Sequence, residues 1–488
     1  MTQDFILGID QGTTSTRALL FRRDGSVAAL TQKELQLTTP QNGWVEQNPA
    51  AIWEDVLRVT RDVITKGCRG DASRIAAIGI TNQRETTIVW DADSGKAIYN
   101  AIVWQDRRTA DFCKGLKAFE KTIQEKTGLL ADPYFSATKI KWILDNVPDA
   151  RSKNLKFGTI DSFLIWKLTG GRVHATDATN ASRTMLFNIH TQEWDADLLK
   201  RLDIPSSMLP EVRDSGGDFG VTDQALLGAE VPIRAVLGDQ QAALFGQACF
   251  SPGMVKSTYG TGCFALMNTG DQATLSQNRL LTTVAWRLDG KTIYAIEGAI
   301  FVAGAAVQFL RDNLKFIPTS PESETLARSV ENADGVVFVP ALTGLGAPYW
   351  DPHARGGIFG LTRATTQAHI VRATLEAQAY QTRDLMDAMS ADTKITPSSL
   401  RVDGGLSQND LVCQMIADQL QCTVQRPVNT ETTAWGAASL AGLMSGWYEN
   451  QSDLERLWRH ARDFSPSEKS NRDIGYSEWK SAVRRVMT

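Results

Sequence analysis

At about 100–200 residues per domain, a chain of 488 residues is too long for one hydrophobic core, and two large lobes are expected. It is 42% hydrophobic and 22% charged with a formal net charge of −4, the balance of a soluble globular protein. That balance excludes bulk attraction to nucleic acid or anionic lipid, so an anionic substrate must be met by local charge and backbone amides.

The N-terminus carries Asp4, lacks a basic cluster and runs straight into Asp10, unlike a secretory leader. Phe5–Asp10 reads as a short apolar strand, Gln11–Ser15 as a polar turn, and Arg17–Phe21 and Val27–Thr31 as two further strands of a meander. Asn48 is an expected N-cap with Pro49 at the first helical position. Ile52, Trp53, Val56, Leu57, Val63 and Ile64 then recur at helical spacing. Ile75–Thr81 reads as a buried strand ending in a polar cluster.

A similar opening recurs in mid-chain. Ile233–Leu237 is a strand leading to Gly238-Asp239, and Met254–Tyr259 and Cys263–Met267 flank the turn Gly260-Thr261-Gly262. The apolar run Ala295–Leu310 is broken by Glu297 and Gln308 and is too short to span a bilayer. Beyond it come the strand Val336–Pro340, a long helix near Gln367–Met389, the strand Leu400–Asp403, and helices near Asp410–Leu420 and Ala434–Met444. The lobes are expected to divide near Phe245–Pro252, as residues 1–247 and 248–488, packed and hinged rather than tethered. The six cysteines form no C-x-x-C pair and no zinc spacing, and read as reduced core thiols of a cytoplasmic protein.

Three Gly-rich turns carry the first chemical signal. In Asp10-Gln11-Gly12-Thr13-Thr14-Ser15, glycine lets the backbone approach a ligand, successive amides make an anion nest, and three hydroxyls add donors. Asp10 is placed for Mg²⁺ and Arg17 for the same phosphates. Alone, such a turn reads more readily as a solvated polar hairpin. The matching turn at Thr261 in the second half suggests a triphosphate clamped between lobes. The turn Asp403-Gly404-Gly405, leading to Asn409, offers flat backbone for a nucleoside. Walker and dinucleotide signatures are absent.

A second signal is Arg84-Glu85, two full charges directly after a core strand. Arginine only donates and glutamate only accepts, so together they suit a vicinal diol. Adjacent strand residues point to opposite faces, so the chain must turn here for both to reach one ligand. The competing reading is a surface ion pair. Asp239 is a candidate base for an attacking hydroxyl, although it reads equally as the cap of a helix Gln240–Gln247. An unperturbed aspartate, with a pKa of about 3.9, is a weak base, but phosphoryl transfer needs alignment and charge neutralisation more than early deprotonation.

Together these segments resemble the FGGY carbohydrate kinase family. The resemblance also covers Trp104–Arg108, Tyr134–Trp142, Gly344–Trp350 and Gly357–Leu361 running on to Glu376. It implies an α/β fold of two actin-like (ribonuclease H-like) ATPase lobes of the sugar kinase/Hsp70/actin type, with a central cleft holding Mg-ATP and glycerol. Arg84, Glu85, Tyr134 and Asp239 then fall as acceptor hydroxyl ligands with Gln240 beside them, Trp104 and Phe264 as the apolar wall, and Asp239 as general base. Thr13, Thr14, Ser15, Arg17, Thr261, Gly304, Gln308, Gly404 and Asn409 fall at the nucleotide, and Asp10 and Asp239 at the metal. The implied reaction gives sn-glycerol 3-phosphate and ADP, in a homo-dimer or homo-tetramer. A pentulose or aldonate kinase of the same family and an actin- or Hsp70-like ATPase are the alternatives. Some members carry a glycine- and lysine-rich loop for fructose 1,6-bisphosphate; here Ala225–Arg234 lacks that character and carries Glu230.

Overall fold

A computed structural model describes residues 3–467, 472–473 and 475–487. β1 (Phe5–Gln11) is buried on both faces, which its continuous apolar run requires. It turns through Gly12 into β2 (Ser15–Phe21) and then β3 (Val27–Glu34), the expected antiparallel meander. α1 (Pro49–Cys68) starts where expected: the Asn48 side chain accepts the Ala50 amide at 2.9 Å and Pro49 is the first helical residue. β4 (Ile75–Asn82) then pairs parallel to β1, and β5 (Ile233–Gly238) parallel to β4, giving the order β5-β4-β1-β2-β3. Residues between β4 and β5 build further helices and a separate core around Phe135, Ile140, Phe157 and Leu186.

α2 (Asp239–Gly246) leaves β5 directly, and its N-cap is Gly238. The alternative reading of Asp239 as the cap residue is therefore corrected: it is the first helical residue, and its Oδ1 accepts the Gln240 amide at 2.7 Å. The second sheet begins with β6 (Met254–Tyr259) and β7 (Cys263–Gly270), the expected hairpin around Gly260-Thr261-Gly262. The sequence reading missed the next hairpin, β8 (Leu281–Leu288) and β9 (Lys291–Ile300), joined at Asp289-Gly290. The apolar run 295–310 is therefore the end of β9 followed by α3 (Gly304–Asp312). The strand expected at 336–340 is shorter, Val337–Val339, and pairs only with Gly357–Phe359 in a small sheet of its own. α4 (Gln367–Thr393), β10 (Ser399–Asp403), α5 (Asp410–Leu420), β11 (Val424–Pro427), α6 (Thr432–Met444) and β12 (His460–Phe464) complete this half. Its order is β8-β9-β7-β6-β10-β11-β12.

The two halves share a core. Ile6, Leu19 and Ala77 from the first sheet pack with Leu266, Ala285, Trp286 and Ala295 from the second and with Ala434 and Ala438 of α6. The opposite face of the first sheet, Leu7, Ile9, Ile78 and Ile80, packs on α1 through Ile52, Val56 and Val63. The stretch Ala225–Arg234 is a short helical turn followed by β5, with Arg234 paired to Asp218 at 2.7 Å. Among the described residues no helix is long and apolar enough to cross a membrane.

Candidate functional site

In the first sheet, Gln11 and Gly238 both pair with Asn82, so β1, β4 and β5 end together and place Asp10, Arg84 and Asp239 at one edge. Ligands bind at this carboxyl edge in open α/β sheets. The turn demanded of Arg84-Glu85 is present: the Thr86 amide donates to the Arg84 carbonyl at 2.6 Å, and Glu85 sits at φ +59°. Ser136 and Thr87 hydroxyls hold the Glu85 carbonyl at 3.0 and 3.1 Å. This geometry overturns the surface ion-pair reading, since Arg84 is 3% and Glu85 1% exposed.

Arg84 lies across Gly238, where a Cβ would come within 2.8 Å of its methylenes. Its Nε is 3.3 Å from Asp239 Oδ1 and 3.7 Å from Glu85 Oε1, and its Nη2 is 3.5 Å from the Tyr134 hydroxyl. Its terminal nitrogens also form a fork on Glu297 of β9, at 2.5 and 3.0 Å. Arg183 donates to Glu85 at 2.7 Å and to Glu297 at 3.0 Å. Glu297 and Arg183 escaped the sequence reading. Burial alone would raise the Glu297 pKa, but Arg183 and Arg84 outweigh it and hold the carboxyl at about 2.

Asp239 keeps 29% of its side chain open. Loss of surrounding water pushes its pKa up to about 6, the Arg84 charge countering only part of that. The result is a better base than an unperturbed aspartate at neutral pH. Next to it, Gln240 accepts from the Lys256 ammonium. Lys256, a third group the sequence reading missed, is fully buried on β6 and also donates to Thr258 Oγ1 at 2.8 Å and the Phe264 carbonyl at 3.3 Å. Three of the candidate aromatics come together. The Trp104 ring meets Tyr134 edge-on at 5.6 Å and Phe264 at 6.4 Å, joining the two halves.

The first Gly-rich hairpin closes on itself. The Gly12 amide donates to the Ser15 carbonyl at 2.9 Å, which leaves Thr13 and Thr14 at the tip and Ser15 at the start of β2. Trp104 Nε1 donates to Thr13 Oγ1 at 2.9 Å, and Gln83 bonds Gln11, Gly12 and Gln47, tying the Arg84-Glu85 turn to the Gly12 turn. Arg17 is engaged on both sides, by Asp10 (Nε to Oδ2, 3.1 Å) and by Glu431 ahead of α6 at 2.5 Å.

In the second half, the Gly304 amide at the start of α3 donates to the Gly260 carbonyl at 2.9 Å, and the Ala303 and Ala305 amides to that of Thr261 at 2.9 and 3.0 Å. Thr261 is exposed at the tip and Gln308 is exposed one turn into α3. Gly404, at φ +88°, lies so close to Tyr259 that a Cβ would meet its carbonyl oxygen at 2.5 Å. Asn409 caps α5, its Oδ1 accepting the Val412 amide at 3.0 Å. Thr261, Gly304 and Gly404 thus come together; Gln308 follows on α3, which Gly304 opens, and Asn409 stands at the cap of α5.

The described residues hold no cluster of three or more His, Cys, Asp or Glu suited to a metal. The donor set present is two carboxylates at one sheet edge, Asp10 and Asp239. That set fits Mg²⁺, which takes one or two protein carboxylates and completes its shell with phosphate oxygens and water.

The family description "FGGY family of carbohydrate kinases" matches twice, its N-terminal domain over residues 5–246 and its C-terminal domain over 255–445. A glycerol kinase of Marinomonas sp. is 57% identical over 491 residues, covering 99% of each chain. Glycerol kinase 1 of Pseudomonas aeruginosa is 57% identical over 490 residues, again covering 99% of each. Among solved structures, glycerol kinase of Plasmodium falciparum with ADP superposes with a TM-score of 0.94 at 36% identity, over 100% of this chain and 99% of that one. A gluconate kinase from Lactobacillus acidophilus, at 23% identity and a TM-score of 0.90 over 99% and 98% of the two chains, shares the fold. The fold is thus the expected pair of actin-like ATPase lobes. With both domains matched in order and the whole length shared with its relatives, the chain belongs to the FGGY family of carbohydrate kinases.

Proposed function

We propose that the chain transfers the γ-phosphoryl group of Mg-ATP to glycerol, giving sn-glycerol 3-phosphate and ADP, with Asp239 as the base. The observation that carries this reading is the Arg84, Glu85, Tyr134 and Asp239 constellation. It gathers donors and acceptors from three segments around the buried Arg84-Glu85 turn, against the aromatic wall of Trp104 and Phe264. The whole-length similarity to glycerol kinases supports the choice of acceptor.

In this reading Glu85 accepts from one acceptor hydroxyl while Arg84 Nε and the Tyr134 hydroxyl meet its neighbour. Asp239 takes the proton of the attacking hydroxyl as the new P–O bond forms and the bond to the ADP oxygen breaks. Thr13, Thr14, Ser15 and Thr261 line the triphosphate, with Arg17 beside the metal carboxylate Asp10. Gly304, Gln308, Gly404 and Asn409 bound the nucleoside. Asp10 and Asp239 would hold Mg²⁺, which supplies charge neutralisation at the phosphoryl oxygens. The acceptor and first phosphate turn belong to residues 1–247, and the second phosphate turn and adenosine site to 248–488. A cytoplasmic location belongs to the same proposal.

The test is ADP release from Mg-ATP with glycerol, xylulose, ribulose, gluconate or no acceptor. Glycerol-dependent turnover is expected. Preference for a ketose or an acid would move the assignment to another carbohydrate, and acceptor-independent hydrolysis would point to an ATPase.

A further inference from the structure

Glu297, like Glu85 and Arg183, touches no open space. It is 1% exposed on β9, paired in register between Leu266 and Leu281, both buried. A carboxylate in the middle of a sheet, with apolar neighbours on both sides, is costly unless it is paired. Here it closes a ring. Glu297 holds both terminal nitrogens of Arg84 and one of Arg183, while Arg183 reaches on to Glu85 and Arg84 Nε lies between Glu85 and Asp239. Within this contact set Arg84 and Arg183 face Glu85, Glu297 and Asp239, and the buried Lys256 and Lys139 add positive charge nearby.

The consequence is chemical. An arginine fork is the best-matched protein group for a carboxylate, because it offers two parallel N–H donors. In this site the fork of Arg84 is already filled from behind. What remains to the acceptor is its Nε edge, the Tyr134 hydroxyl, Glu85 and Asp239, a set for hydroxyl groups. An acid in the acceptor position would meet two carboxylates and no free fork, so its desolvation would go uncompensated.

We infer that Glu297 is a specificity-setting positioning residue: by occupying the Arg84 fork and cancelling its charge, it makes the site select an uncharged polyol over the corresponding acid. The inference rests on the glycerol reading. The acid partner that tests it is D-glycerate, the same three-carbon skeleton with one terminal CH₂OH replaced by a carboxylate.

Two measurements decide. With the unaltered enzyme, D-glycerate is added as a competitor of glycerol. It is expected to leave glycerol turnover unchanged up to ~100 times the glycerol KM, and competition near that KM would overturn the inference. Second, kcat/KM for both acceptors is compared in wild type, Glu297→Gln and Glu297→Asp. In Glu297→Gln the glycerate-to-glycerol ratio is expected to rise ~100-fold or more, while Glu297→Asp stays within ~10-fold of wild type. ADP affinity, read by calorimetry, checks that the variants are folded. Equal losses for both acceptors in Glu297→Gln, with ADP affinity intact, would make Glu297 a plain structural support and sink the idea. If Glu297→Gln fails to fold, the competition result alone decides. A wild-type enzyme inactive on glycerol would instead remove the glycerol reading itself.

Discussion

Glu297 and Arg84 are separated by 213 positions in the chain, yet carboxylate and guanidinium meet at 2.5 and 3.0 Å where the two halves of the molecule come together. Arg84, the proposed grip on the acceptor, is therefore steadied from the half that carries the Gly260 hairpin. An acceptor site shared in this way links substrate binding to the relative placement of the halves. In the proposed reaction, such coupling would keep water from competing as nucleophile until both substrates are enclosed.

Asp239→Asn removes the base and keeps the shape. The expected result is a fall in kcat of ~10²–10⁴-fold with ADP affinity unchanged, measured by steady-state ADP release and calorimetry. A loss smaller than tenfold would dismiss Asp239 as base.

The pH profile carries a separate signature. Loss of surrounding water raises Asp239 to about 6, and a base works only when deprotonated. Activity should therefore hold above that value and fall tenfold per unit below it, so kcat/KM for glycerol should show an acidic limb near pH 6. A limb near pH 4 would mean that the aspartate is solvated when substrate is absent.

Trp104→Phe separates two roles of one side chain. The ring against Tyr134 and Phe264 is retained, so the KM for glycerol should stay within ~3-fold. The hydrogen bond to Thr13 is lost, at a cost of ~1 kcal/mol, so the KM for Mg-ATP should rise ~5-fold. An unchanged KM for ATP would show that the bond does not steady the hairpin.

Gly436→Ala tests the contact between α2 and α6. The added Cβ would sit 1.8 Å from the Ala242 carbonyl oxygen, so the helices must part. A cost of about 3 kcal/mol is expected, seen as a fall of ~6 °C or more in the thermal midpoint. A midpoint equal to wild type would mean that the helices do not cross so closely.

Much of this arrangement is readable locally. The Gly12 and Gly260 hairpins and the Asn48-Pro49 helix start each depend on residues within a few positions, so sequence pattern marks them. Arg84 and Glu85 were marked by their own improbability after a buried strand. The β8–β9 hairpin is marked only by its Asp289-Gly290 turn, and the apolar run that continues from β9 into α3 masks it. Glu297, Arg183 and Lys256 are of another kind. Glu297 registered only as an interruption of apolar sequence, and nothing near Arg183 announces that its partners lie 98 and 114 positions away. Their meaning comes from the pairing of distant strands, which local propensity does not encode.

α6 has one more consequence, for how the chain is made. It lies on the first sheet, pressed so close that Cβ atoms on Gly8 and Gly79 would meet the Ala434 and Ala437 carbonyls at 3.0 and 2.1 Å. Strands β1 to β5 leave the ribosome long before residues 432–444 do. Until then the nascent first half holds one face of its sheet, with Ile6, Leu19 and Ala77, without its final cover. Translation of the second half is thus a window in which that face is open to chaperones or to misassociation between neighbouring nascent chains.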